Sequence, residues 1–370
     1  MDTPYKQTTV GILGAGQLAR MMALSGYPLG LNFLFYDPEP TACAGQVGDL
    51  MTADYDNQIA LDEFCRKVDV VTLDFENVPV DTLRFVQKRK PVFPDPDVLE
   101  IAQDRLLEKN FISEIGIPVA EYFSVDSHSE LMFAAKRCDY DAFLKTRRLG
   151  YDGKGQYRIK QQADVNQLDE ADFKQPMVIE RAVDFEREVS VIIVRNTNGE
   201  SATWPLCENK HKNGILTTTI APAKTLDNDE VAFDYAQRIA DALNYVGVLV
   251  VEFFQTKDGF LVNEIAPRVH NSGHWTIEGA YTSQFENHLR AGLGLNFGPT
   301  GSPGVAAMIN WIGAFPQDVN SITDKDLYWH IYGKAPREGR KIGHCTLLAE
   351  SPQQLHSRIL SLVKQLGVSL

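Results

Sequence analysis

Short apolar runs alternate with stretches of helical period from Thr8 to about Pro96. Val10–Leu13 and Asn32–Tyr36 read as strands, with a helix over Gln17–Ser25 between them. Val68–Leu73 and Pro91–Phe93 are two further apolar runs bounded by turn residues. Strands separated by helices predict a parallel, doubly wound sheet of the α/β class. The prolines 91, 94 and 96 around Asp95 mark the exit from that unit. A helix is predicted over Val98–Ile115, stopped by Gly116 and Pro118. Strands follow at Ala142–Lys145, Met177–Arg181, Glu188–Val194, Val248–Phe254 and Phe260–Ile265. Beyond Gly298 and Pro299 a shorter part carries one apolar strand, Val305–Trp311, and a closing helix, Pro352–Leu366.

Length adds that 370 residues exceed one ordinary domain. A formal net charge of −13 argues against nucleic-acid or anionic-membrane binding, both of which need a cationic footprint. Five scattered cysteines without a CxxC spacing argue against a disulfide framework or structural zinc and for a reducing compartment. The first ten residues lack a basic-then-apolar signal. The longest apolar stretch, Val246–Phe254, is interrupted by Glu252 and is far below the roughly 20 residues that span a bilayer. A cytoplasmic location is expected.

Two glycine motifs carry candidate chemistry. The first, GILGAGQLA from Gly11 to Ala19, follows a strand and opens a helix. Its Gly14-x-Gly16-x-x-Ala19 core is a dinucleotide fingerprint, and Asp37 sits where a ribose-binding acid would. Any tight strand-to-helix turn wants small residues there, and a helix N-terminus is an anion site without any nicotinamide. The second motif is more informative: a strand ends in Lys145, and the loop Gly150–Gln156 (GYDGKGQ) carries three glycines and Lys154. Glycines let backbone N–H groups converge on phosphate, and lysines supply charge. The GxxxxGK[ST] spacing of a P-loop is absent, and a solvated basic hairpin tip is the plain alternative.

Each strand of a hairpin turning at Asp258-Gly259 contains one carboxylate, Glu252 and Glu264. A loop of odd length would put both on one face. Two such carboxylates opposite a phosphate loop suit Mg²⁺ bridging nucleotide phosphates, whereas salt bridges to arginines such as Arg268 are the structural alternative. Glu180 and Glu188, on or beside strands, could each hold a ribose hydroxyl or an adenine amine. Each is, taken singly, more often a surface carboxylate. His211, in a polar stretch, reads as solvated.

The ordered set Arg105, Lys145, GYDGKGQ, Glu180, Glu188, His211, Glu252 and Asn263-Glu264 resembles the ATP-grasp superfamily. A narrower resemblance, to its ATP-dependent carboxylases of aminoimidazole ribonucleotide in purine biosynthesis, rests on three stretches and a C-terminal run. The stretches are GILGAGQLARMM, GYDGKGQ and NEIAPRVHNSGHWTIEGAYTSQFENHLRA (263–291); the run is Gly339 to His344. Val269 departs from the proline expected between Arg268 and His270.

The resemblance implies a Rossmann-like N-terminal domain (1–97), an ATP-grasp domain (98–297) with a lid at about 115–185, and a small C-terminal domain (298–370). It further implies that Arg105, Lys145, Gly150, Tyr151, Asp152, Gly153, Lys154, Gly155, Gln156, Glu180, Arg181, Ala182, Val183, Glu188, His211, Asn263 and Glu264 surround ATP. Glu252 and Glu264 would hold Mg²⁺. Gly14, Gly16, Gln17, Glu76, His270 and Asn271 would grip the ribonucleotide, with Lys334 and Arg340 on its phosphate. Tyr151, Asp152, Lys154, Arg268 and His270 would surround the reacting bicarbonate and amine, His270 or Asp152 taking the amine proton. Members are usually homodimers. Another ATP-grasp carboxylate–amine ligase, an NAD-dependent oxidoreductase and a non-catalytic nucleotide sensor are the rival readings.

Overall fold

In the computed structural model the described residues are 7–150, 155–168, 173–225, 228–316, 319 and 322–366. The chain opens with β1 (Thr9–Leu13), α1 (Gln17–Gly26), β2 (Asn32–Asp37), β3 (Asp49–Thr52), α2 (Gln58–Lys67), β4 (Val70–Leu73) and α3 (Val80–Gln87). The four strands form the expected parallel sheet in the order β3-β2-β1-β4. Pro91–Phe93 contributes only a bridge, Val71 to Val92.

The single helix expected over Val98–Ile115 is two, α4 (Pro96–Gln103) and α5 (Arg105–Glu114). Asp104 between them is extended, at φ −121 and ψ 110, and its carboxylate caps the N–H groups of Leu106 and Leu107. The same carboxylate takes a two-pronged bond from Arg147, at 2.9 and 2.8 Å. An aspartate with those partners stabilises a break that the apolar periodicity alone does not reveal.

A small antiparallel sheet follows from β5 (Tyr122–Val125), α6 (His128–Arg137), β6 (Ala142–Thr146), β7 (Gln156–Ile159), α7 (Gln162–Val165) and β8 (Met177–Arg181), ordered β5-β8-β6-β7. The chain then builds a nine-stranded antiparallel sheet. Its first part comprises β9 (Arg187–Arg195), β10 (Ser201–Thr203), β11 (Cys207–Lys212), β12 (Ile215–Ala221), α8 (Asp229–Ala242), β13 (Gly247–Thr256) and β14 (Gly259–Ala266). Its second comprises α9 (Thr276–Gly279), α10 (Gln284–Gly292), β15 (Val305–Ile312), β16 (Leu327–Ile331), β17 (Lys341–Ala349) and α11 (Pro352–Leu366). The path is β14-β13-β9-β11-β12-β15-β17-β16, with β10 on β9, so β12–β15 pairing joins the C-terminal strands to the same sheet. No helix among the described residues is long and apolar enough to cross a membrane.

His288 on α10 ties the first sheet to the large one. Its Nδ1 accepts the Val248 N–H (3.0 Å), which leaves Nε2–H to donate to Thr72 Oγ1 (2.8 Å). Complete burial holds this ring neutral, lowering its pKa from 6.5 to about 3. The unfolded chain binds that proton more readily, so stability from His288 is full above about 6.5 and is lost as pH falls towards 3. His288→Leu is expected to cost about 2 kcal/mol at pH 7 through the two partners left unpaired. It should also flatten the acid limb of stability, read as melting temperature against pH beside the parent.

Candidate active site

One cavity of ≈ 990 Å³ lies between the small sheet, the large sheet and the C-terminal ends of β1 and β4. Of the sequence-derived candidates, Gly16, Gln17, Glu76, Arg105, Lys145, Gly150, Gln156, Glu180, Arg181, Val183, Glu188, His211, Glu252, Asn263, Glu264, Arg268, His270, Asn271, Lys334 and Arg340 all line it. Gly14, Gly155 and Ala182 are not among the residues that line it. Tyr151, Asp152, Gly153 and Lys154 lie outside the described residues.

The large sheet supplies the acidic floor. Glu252 on β13 sits directly across from Glu264 on β14. The expectation of an odd loop is corrected: the turn is the two residues Lys257 and Asp258. Phe253 pairs with Val262 and Glu252 with Glu264, so Asn263 is an extra, bulged residue. That bulge turns both carboxylates to one face. The peptides flanking Glu264 are held from behind by two neighbours on α5 that pattern reading passed over. Lys109 Nζ donates to the Asn263 carbonyl (3.3 Å), and Glu108 Oε1 accepts the Ile265 N–H (2.7 Å). Their polarity inside a helical apolar stretch was the available signal.

Burial and the facing Glu264 push Glu252 up to about 7, and burial with Glu264 pushes Glu108 up to about 8. Two opposed carboxylates with hard oxygens are a fitting site for a divalent cation. Among the described residues no third His, Cys, Asp or Glu joins them, which suits an ion whose other ligands are water and phosphate.

The small sheet supplies the cationic wall. Lys145 Nζ (3.0 Å) and Lys109 Nζ (3.2 Å) both meet Glu180 Oε2. Burial opposes the Glu180 charge, but Lys109, Lys145 and Arg105 outweigh it and hold the carboxyl at about 2. Glu180 Oε1 is buried with no hydrogen-bond partner, an acceptor free for a ligand donor. Arg105 reaches Glu264 Oε2 (3.2 Å) and the Gly150 carbonyl (3.3 Å), spanning both sheets. His211 is not solvated: on β11 its Nδ1 meets Glu188 Oε2 at 2.9 Å. Burial lowers its pKa, but Glu188 and Glu252 raise it above the ordinary value overall. The Arg181 guanidinium is committed to Glu121 and Asp139, each at 2.9 Å.

At the third wall the first glycine motif is filled from within. Asp74 accepts the N–H groups of Gly16 (2.9 Å) and Ala19 (2.6 Å), and Asp37 accepts that of Ala15 (2.8 Å). A Cβ on Gly16 would lie 2.5 Å from Asp74 Oδ2, and Gly14 has φ +91. The helix N-terminus thus already holds a carboxylate, which removes the pyrophosphate seat and the ribose-binding acid of the oxidoreductase reading. Gln17 turns instead to Lys334. Arg268 pairs with Glu76, whose carboxyl burial would raise but the guanidinium holds below its usual range. Burial, then Arg268 and Lys341, keep His270 neutral, far below an ordinary imidazole. The Asn271 amide is paired with that of Asn310 at 3.0 and 2.7 Å. The segment carrying Lys334 and Arg340 also brings Arg337 and Lys341 to the cavity, two cations that sequence reading did not single out.

Two sheets closing on such a cavity, with Lys145 facing Glu180 on one and paired glutamates on the other, define an ATP-grasp enzyme. Residues 7–103 match the ribonucleotide synthetase preATP-grasp domain, 110–285 the ATP-grasp domain, and 306–358 the phosphoribosylaminoimidazole carboxylase C-terminal domain. The chain is 46% identical to the N5-carboxyaminoimidazole ribonucleotide synthase of Pseudomonas aeruginosa over 95% of its length and 97% of that protein. The crystal structure of the Thermus thermophilus N5-carboxyaminoimidazole ribonucleotide synthetase superposes with a TM-score of 0.92 at 46% identity, covering 98% of this chain and 99% of that one. An Aspergillus clavatus N5-carboxyaminoimidazole synthase in complex with ADP and 5-aminoimidazole ribonucleotide gives 0.90 at 28% identity, with coverages of 98% and 99%. The chain belongs to the N5-carboxyaminoimidazole ribonucleotide synthase family.

Proposed function

We propose that this cavity joins bicarbonate to 5-aminoimidazole ribonucleotide at the expense of ATP, and that the residues named above divide the work by wall. The chain is an ATP-dependent ligase of purine biosynthesis, giving N5-carboxyaminoimidazole ribonucleotide, ADP and phosphate. The observation that carries the division of labour is continuity: one cavity runs from Lys145 and Glu180 past Glu252 and Glu264 to Gln17, Glu76 and Lys334.

Adenine and ribose lie towards Val183, Glu180 and Glu188, and the phosphates towards Lys145, Arg105, Gly150 and Gln156. Glu252 and Glu264 would hold Mg²⁺, which neutralises phosphate charge when bound. Bicarbonate is a poor electrophile; its oxygen takes the γ-phosphoryl group and ADP departs, leaving carboxyphosphate. Positioning and charge neutralisation dominate that step. The exocyclic amine then attacks the carboxyl carbon as a C–N bond forms. The C–O bond to phosphate breaks, and phosphate leaves with the electron pair. Arg268 and His270 sit where the two substrates meet, and Lys334 and Arg340 take the ribonucleotide phosphate. In a division into 1–97, 98–297 and 298–370, the first unit has its own parallel sheet, the other two share the nine-stranded sheet across the β12–β15 seam, and a lid at about 115–185 takes in the small sheet. Homodimer assembly and a cytoplasmic location belong to the same reading; light scattering on the purified chain reads the first.

ADP release with Mg-ATP, scanned over aminoimidazole ribonucleotide with and without bicarbonate, tests the assignment. Release should require the ribonucleotide and, with bicarbonate, yield the carboxylated product. Bound ATP with no stimulation by the ribonucleotide would keep the ATP-grasp site and sink the substrate.

A further inference from the structure

A line of buried polar side chains runs beneath the cavity floor and ends on His270. Thr219 Oγ1 on β12 donates to Asn209 Oδ1 (2.9 Å), and Asn209 Nδ2 on β11 donates to Ser190 Oγ (2.9 Å). Ser190 Oγ on β9 donates to Ser272 Oγ (3.0 Å), and Ser272 Oγ lies 3.0 Å from His270 Nδ1. Thr219, Ser190 and Ser272 are fully buried and Asn209 is 5% exposed. Nothing in packing requires four polar groups there. Apolar residues of the same size would avoid their desolvation.

The backbone fixes the direction at His270. The Ser272 backbone N–H also points at His270 Nδ1 (3.3 Å), and a backbone N–H cannot reverse. Nδ1 is therefore an acceptor, and the ring proton resides on Nε2. The opposite tautomer would set an Nδ1–H against that N–H, donor against donor, and the Glu252 carboxylate, 3.6 Å from Nδ1, is beyond hydrogen-bond reach to compensate. The side-chain line agrees at every step. Ser272 Oγ accepts from the Ser190 hydroxyl, which leaves its own O–H available to donate to His270 Nδ1, while the Asn209 amide donates to Ser190.

We propose that Ser272, Ser190 and Asn209 are positioning residues that lock His270 as its Nε2–H tautomer, so that it enters the reaction as a hydrogen-bond donor and not as the base for the amine. The inference rests on placing His270 at the reacting centre, as argued above. When the amine attacks the carboxyl carbon, negative charge develops on a carboxyl oxygen, and a fixed Nε2–H is suited to receive it. His270 keeps its proton throughout. The amine proton goes to the departing phosphate, which holds the electron pair of the broken C–O bond.

The test is the ¹⁵N spectrum of the full chain labelled at histidine, with His270 assigned by the signals lost in His270→Asn. An acceptor-type Nδ1 and a protonated Nε2 are expected in the parent. Ser190→Ala frees the Ser272 hydroxyl to turn round and accept from Nδ1, so that the 3.3 Å Ser272 N–H alone opposes the other tautomer, which should then compete. It should lower kcat by roughly 10–100-fold at an unchanged KM for ATP. A parent spectrum with protonated Nδ1 overturns the proposal, and this reading survives even if the variant does not fold. A Ser190→Ala protein with parental tautomer and parental kcat overturns the role of the line. The spectrum needs no substrate, so it stands or falls apart from the ribonucleotide assignment.

Discussion

Glu252→Gln is expected to make the protein more stable and nearly inactive. Glu252 is 8% exposed and faces Glu264 across the β13–β14 pair, and burial followed by that neighbour raises its pKa from 4.5 to about 7. The folded chain thus holds this proton more tightly than the unfolded chain. The stability it confers is full below about 4.5 and is lost as pH rises through 7. At pH 8, without divalent cation, the parent carries a strained pair of charges that glutamine relieves. A gain of roughly 1–3 kcal/mol in the variant follows, vanishing at pH 4.5. ADP formation should fall on the order of 10²–10³-fold, because a charge needed opposite the phosphates is gone. Thermal unfolding at the two pH values, with and without Mg²⁺, reads the first effect. Mg²⁺ should stabilise the parent and leave the variant nearly unmoved. A variant destabilised at pH 8, or still active, would remove Glu252 from the metal-binding role.

The same residue shows what pattern reading could and could not reach. Two carboxylates inside apolar strands are visible from composition along the chain, since burying either without a partner is costly. Their facing was derived from a loop of odd length, yet it arises from a two-residue loop and the Asn263 bulge. A bulge leaves no mark in hydrophobic alternation, because it is sustained by Lys109 and Glu108 from a helix more than 150 positions away. Strands β1, β2 and β4 of the N-terminal sheet were legible because they are largely buried and read as continuous apolar runs, whereas the partly exposed edge strand β3, DLMT, was not. Strands β11 and β12 were not. One is CENKHK, whose polar side chains face Ser190, Glu188 and the cavity, so its strand character comes from its neighbours. His211 was misread for the same reason. The glycine turn misled in a more instructive way. Its small residues are required, but by the carboxylates of Asp74 and Asp37 and not by a dinucleotide. Asp74 lies 58 residues beyond Gly16, where local spacing carries no information.

Arg268→Met is expected to separate folding from chemistry. Its guanidinium pairs with Glu76, and the two side chains are 15% and 27% exposed. Removing one partner leaves the other charge partly buried and unmatched, a cost of about 2 kcal/mol at pH 7, below the range for fully buried pairs. Because Arg268 holds the Glu76 carboxyl below its ordinary value, the parent's advantage is present above about 4.5 and fades as pH falls through the lowered value. Adding Glu76→Gln to Arg268→Met should restore most of the lost stability, since the double variant leaves no unpaired charge. It should restore none of the ribonucleotide-dependent ADP release, expected to drop at least 10²-fold in both variants while ATP still binds. Melting temperature and ADP release over the four proteins of the cycle give both readouts. If stability and activity returned together, Arg268 would serve only to neutralise Glu76, and the contact with the reacting bicarbonate would have to be assigned elsewhere on the cavity wall.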